Sequence, residues 1–186
     1  LARLLERTAD AVAAVRAGRS LTAVLDTLEP AVRPGVLALA SDVLRQLGTA
    51  LALRERLAPR QPPPALDALL LSALALLLPR EDGALPYAEH TLVDQAVGAA
   101  RQRHAASAAF VNAVLRRFLR ERDALVQAVR HQSVAAFNHP LWWIERVRQD
   151  WPAVWRELLA AANQPPPMVL RVNARRASAP AFVQQL

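Results

Sequence analysis

The stretch Leu66-Asp-Ala-Leu-Leu-Leu-Ser-Ala-Leu-Ala-Leu-Leu-Leu78 limits the fold of this chain more than any other, because almost none of its faces suits water. Rich in leucine and alanine and too long for an ordinary strand, it predicts a helix. The run Ala68 to Leu78 is too short to cross a hydrocarbon layer of about 30 Å, so its apolar circumference must be covered by protein. A helix of this kind belongs at the centre of a bundle, and its leucines are packing residues. With 53% hydrophobic residues, only 5 Gly and only 5% aromatics, the composition favours other helices around it over sheets. An all-α body is expected.

The surrounding sequence supplies those helices. Leu1, Leu4, Leu5, Ala9, Val12 and Val15 recur at helical spacing, and Gly18 followed by Ser20 predicts a stop and a fresh N-cap. The next helix, Leu21 to Leu28, ends before Pro30. A third runs from about Pro34 to Leu47 and closes at Gly48; Thr49 caps a short fourth that stops before Pro59. Gln61-Pro-Pro-Pro64 is a stiff connector into the central helix, Pro79 to Gly83 breaks the chain with Glu81-Asp82 as a turn, and Pro86 starts another helix through Val97.

Residues 104–120 divide into two faces when wound at about 100° per residue. Phe110, Val111, Val114, Leu115, Phe118 and Leu119 fall on one side; Asn112, Arg116 and Arg120 come at i, i+4 and i+8 on the other, with Arg117 beside them. Between them stand only Ala106, Ala109 and Ala113, which let a phosphate approach guanidinium forks. Spacing alone does not separate such a face from ordinary solvated surface.

Charge distribution adds to this. All 23 basic residues are Arg, a bias that suits a GC-rich genome and weakens any argument from total charge. Residues 1–100 hold 10 Arg against 11 acidic residues, residues 101–130 hold 7 against 2, and residues 131–186 hold 6 against 3. Codon bias would not confine the excess to the second half, and a one-sided basic field points to a polyanion, in practice nucleic acid.

Beyond Arg122 the texture changes. Asn138-His-Pro-Leu-Trp-Trp-Ile-Glu-Arg-Val-Arg-Gln-Asp-Trp-Pro-Ala-Val-Trp155 gathers all 4 tryptophans, which at helical spacing among Leu and Ile are expected to form a small core. His139-Pro140 and Asp150-Trp-Pro152 each open a helix, Met168-Val-Leu-Arg-Val-Asn173 reads as a strand, and Ser178 caps a last helix.

Phe110-Val-Asn-Ala-Val-Leu-Arg-Arg117 resembles the signature of the last helices of the NusB-like domain at the front of bacterial 16S rRNA cytosine-C5 methyltransferases of the RsmB (Fmu/Sun) type. Leu85-Pro-Tyr-Ala-Glu-His-Thr-Leu-Val-Asp-Gln-Ala-Val97 resembles the helix that precedes it. His-Pro-x-Trp, Asn163-Gln-Pro-Pro-Pro167 and Leu170-Arg-Val-Asn173 resemble the opening of the RNA-binding subdomain of the same enzymes. The resemblance implies a NusB-like helical domain over 1–125, a linker over 126–137, and over 138–186 the start of an α/β RNA-binding subdomain, mostly helical with one strand. It also implies a catalytic domain absent from these residues; the chain begins without Met and stops at Val183-Gln-Gln-Leu186, which reads as a fragment.

The implied reaction needs a cysteine thiolate to add at C6 of cytosine and S-adenosylmethionine to supply the methyl group. The chain has no cysteine, and Gly18, Gly35, Gly48, Gly83 and Gly98 are too scattered for a cofactor loop. No catalytic or cofactor residue is therefore assigned, and His90, His104, His131 and His139 lack metal-ligand spacing. What is left is binding. Arg101, Arg103, Asn112, Arg116, Arg117 and Arg120 on the helical part, and Arg171, Arg175 and Arg176 beside the strand, are the candidate contacts to small-subunit ribosomal RNA in a cytoplasmic protein with no membrane segment. Two other readings compete: a stand-alone NusB-type antitermination factor, which residues 135–186 argue against, and a helical interaction or self-association module, which would not retain RNA.

Overall fold

The computed structural model describes residues 1–79 and 83–185. The elements are α1 (Ala2–Arg16), α2 (Leu21–Leu25), α3 (Arg33–Arg45), α4 (Leu47–Leu57), α5 (Pro64–Leu76), α6 (Glu89–Arg103), α7 (Ser107–Val129), α8 (Ser133–Phe137), α9 (Leu141–Asp150), α10 (Trp155–Ala162) and α11 (Ala179–Val183). The fold is all-α, and no strand occurs among the described residues.

Helix α5 is the axle. Every residue from Asp67 to Leu78 is buried, and α1, α3, α4, α6 and α7 all pack on it. At about 25 cal/mol per Å² of apolar surface, each enclosed leucine contributes about 2 kcal/mol, so this one helix anchors much of the hydrophobic stabilisation. Its polar exceptions have partners. The Ser72 hydroxyl donates to the Ala68 carbonyl at 2.8 Å, and the Asp67 carboxylate lies between two arginines. Arg16 Nη1 donates to Oδ2 at 3.0 Å, while Arg54 Nε sits 2.9 Å from Oδ1 as a charge contact without hydrogen-bond alignment.

The turn after α1 forms as its sequence dictates: Gly18 takes a left-handed φ of +92°, and Ser20 Oγ accepts from the Ala23 amide at 3.1 Å. Helix α2 stops at Leu25, short of the expected Leu28. The expected stop at Gly48 is not found. The chain bends by 72° between α3 and α4, with Gln46 as the residue between them, and Gly48 lies inside α4. The need for glycine is tertiary: a Cβ there would stand 2.1 Å from the Val134 carbonyl oxygen of α8. Nor does Thr49 cap α4. Its hydroxyl donates to the Ala135 carbonyl at 2.7 Å and its amide to Asn138 Oδ1 at 2.8 Å. Asn138 closes α8 in the left-handed region (φ 54°).

Residues 126–137, expected to be a linker, are built into the bundle instead. Helix α7 runs on to Val129 with Leu125 and Val129 in the core, and α8 seats Ala135 against α4. Helix α6 begins at Glu89 rather than at Pro86, because Ala88 still holds an extended backbone (φ −58°, ψ 137°) and can only be the residue before the first turn. The Glu81-Asp82 turn lies outside the described residues.

Beyond α8, Ile144, Val147 and Leu159 form a separate small core with Phe137 and Trp155 against it. The expected tryptophan core is only partly realised. Trp155 packs on Phe137 with centroids 5.0 Å apart, but Trp142, Trp143 and Trp151 are 66%, 39% and 51% exposed. The small aliphatic residues fill the space between α9 and α10, and the large rings lie outside it. The expected strand Met168–Asn173 is also not formed: a strand is a ladder, no partner segment lies beside it among the described residues, and Met168, Val169 and Leu170 are exposed.

Candidate nucleic-acid interface

Helix α7 is half core and half surface, and the division is sharp. Val111, Val114, Leu115, Phe118, Leu125 and Val129 are buried, whereas Ala109, Ala113, Arg116, Arg117 and Arg120 are exposed. At about 100° per residue Arg120 stands opposite Val111 and Val129, as far from the core as the helix allows. Phe110, expected on the buried side, lies at its edge and is 38% exposed.

The candidate side chains are not equivalent. Arg116 Nε donates to Asn112 Oδ1 at 2.9 Å, so Asn112 orients a guanidinium and leaves the outer nitrogens of Arg116 turned to solvent. Arg117 is paired with Glu121 at 3.2 Å. Arg120 and Arg101 are exposed and carry no ion pair among the described residues. Arg103 is drawn inward across the bundle to α1, at 3.1 Å from Glu6 and 2.5 Å from Asp10. It clamps α6 to α1 rather than presenting charge outward. Arg122, next to the row, is held by Glu89 of α6 and lies 5.7 Å from the Phe118 ring centroid.

In the second part, Arg171, Arg175 and Arg176 are all exposed. The Arg175 amide donates to Asn173 Oδ1 at 3.0 Å and the Arg176 amide to the Asn173 carbonyl at 2.8 Å, which fixes a tight turn with both guanidinium groups outside. Among the candidate residues, two sets of cations therefore face solvent: Arg101, Arg116 and Arg120 on the α6–α7 hairpin, and the three arginines around Asn173. Phosphate oxygens are what such groups bind when hydrogen-bonding capacity is not consumed by carboxylates.

Among the described residues no group of three His or acidic side chains is placed to hold a metal ion. No single helix among the described residues is long and apolar enough to cross a membrane. The ion pairs of Arg103 with Glu6 and Asp10 and of Arg122 with Glu89 are among those the sequence did not disclose; they join residues far apart in the chain, and no local pattern signals them.

Known proteins are similar to this chain in sequence. Residues 139–186 match the family model of the RsmF/B-like methyltransferase ferredoxin-like domain. A probable ribosomal RNA small subunit methyltransferase B of Coxiella burnetii is 37% identical over 98 residues, 52% of this chain and 23% of that protein. This chain resembles the N-terminal region of an RsmB-type methyltransferase. The ribosomal RNA small subunit methyltransferase B of Erwinia tasmaniensis is 35% identical over 99 residues, 53% of this chain and 23% of that protein. That of Klebsiella pneumoniae (strain 342) is 45% identical over 64 residues, 34% of this chain and 14% of that protein. The matched stretch thus spans less than a quarter of the RsmB-type relatives.

Proposed function

We propose that this chain is the RNA-holding N-terminal part of an S-adenosylmethionine-dependent cytosine-C5 methyltransferase of small-subunit ribosomal RNA. The helical bundle, up to α8, acts as a NusB-like domain and residues 138–186 as the first part of an RNA-binding subdomain, working in the cytoplasm. The methyl transfer itself belongs to a part of the parent protein that these residues do not include, since cytosine-C5 chemistry needs a thiolate and the 186 residues contain no cysteine. What falls to this region is to hold the RNA backbone so that the target base reaches the reacting groups, a positioning task.

The observation that carries the reading is the row Asn112, Arg116, Arg120 on the outer face of α7, where small alanines flank guanidinium groups free of carboxylates. The sequence similarity to small subunit methyltransferases supplies the substrate class. A stand-alone antitermination factor fits less well, because residues 139–186 match a methyltransferase-associated domain.

The test is the salt dependence of binding to a small-subunit rRNA fragment, measured by fluorescence anisotropy. Replacing Arg116 and Arg120 with Ala should flatten the slope of log K against log salt by about 1.4 to 1.8, the release of two phosphate contacts. An unchanged slope removes α7 from the interface.

A further inference from the structure

A large cleft among the described residues lies away from the basic row. It lies where the C-terminal ends of α3, α5 and α10 meet α8, and it encloses about 930 Å³. We propose that this cleft receives an unstacked nucleobase of the RNA held on the basic surface. The inference rests on the RNA-binding reading and adds to it a second contact, made to a base instead of the backbone.

The wall chemistry leads there. Among the described residues its charges pair: Arg45 Nη1 lies 3.4 Å from Asp42 Oδ1, and a carboxylate in the wall disfavours a phosphate. Apolar patches such as Leu76 and Ala160 alternate with neutral polar groups. Gln46 uses its carbonyl oxygen to accept from Asn138 at 3.4 Å, which leaves its amide nitrogen to donate. Asn163 donates its amide to the Phe137 carbonyl at 2.7 Å, which leaves its oxygen to accept. Ser41 and Gln164 are half-buried and their side chains have no partner among the described residues. Half-buried amides and hydroxyls that are not tied to protein partners are able to bond the polar edge of a ligand. A base is neutral and flat, matches apolar walls with its faces, and pairs with amide side chains along its edges. An extended peptide is the poorer fit, because among the described residues no sheet edge can hold a strand.

Two short single-stranded RNAs with the same backbone decide the matter, one of mixed sequence and one with abasic ribose at its central positions, each titrated with the full chain by anisotropy. The intact RNA should bind about tenfold tighter than the abasic one. The double variant Gln46→Ala, Gln164→Ala should abolish that difference while leaving the salt slope unchanged. Ala160→Phe, which fills the cleft from an exposed position and is checked for folding by circular dichroism, should do the same. Arg116→Ala with Arg120→Ala should do the reverse, flattening the slope and keeping the preference for bases. Equal affinity of the unmodified protein for both RNAs, or a base preference that survives in both cleft variants, overturns the proposal and leaves RNA binding by the arginines standing. Absence of salt-dependent binding to either RNA overturns the reading and the cleft proposal together.

Discussion

Two residues show how much hangs on single side chains. Gly48 stands where α4 and α8 touch, and adding one methyl group puts it 2.1 Å from a backbone carbonyl oxygen, which cannot swing away as a side chain would. Gly48→Ala should therefore destabilise the protein by about 1–3 kcal/mol, the range for overpacking, and urea unfolding monitored by circular dichroism measures it. Asp67 is 1% exposed and holds Arg54, itself 6% exposed, in the interior. Asp67→Ala should cost about 3–5 kcal/mol, because it strands a buried guanidinium. The double variant with Arg54→Met should recover most of that loss; two losses that simply add would mean the residues do not act as a pair.

At the scale of the element, α7 sets a packing face against the face proposed to hold RNA, and the two separate by measurement. Phe118 is fully buried, so Phe118→Ala should cost about 3–5 kcal/mol of stability. Arg120→Ala, opposite the core, should change stability by less than about 0.5 kcal/mol and show its effect in RNA affinity. Arg103, one helix earlier, should behave oppositely to Arg120. Arg103→Ala cuts the tie from α6 to Glu6 and Asp10 and should lower stability by about 1 kcal/mol, with the salt slope of RNA binding unchanged. Both are arginines of the same basic run, and only their partners distinguish them.

At the scale of the molecule, α8 joins the bundle to the small core of α9 and α10. Thr49, Ala135 and Asn138 form a hydrogen-bonded joint between segments about 90 residues apart, and the cleft lies beside it. The tryptophans report on the outer part. With Trp142, Trp143 and Trp151 exposed and Trp155 half-buried against Phe137, acrylamide should quench most of the native fluorescence and leave a protected fraction near one quarter of the emitters. Quenching that leaves three of the four protected would place the rings in a core after all.

Periodicity and composition were enough to set the all-α class, the central place of α5, the turn at Gly18 and Ser20, and the two faces of α7. Each depends on neighbours within about four residues, which a linear pattern displays. What only the tertiary structure decided depends on distant partners: that Gly48 serves a contact and not a helix end, that Arg103 is a clamp while Arg116 and Arg120 face solvent, that residues 126–137 belong to the bundle. The failures in the last third have the same physical origin. A strand needs a partner strand and a tryptophan needs a cavity of its size, and neither requirement is written in the residue that has it.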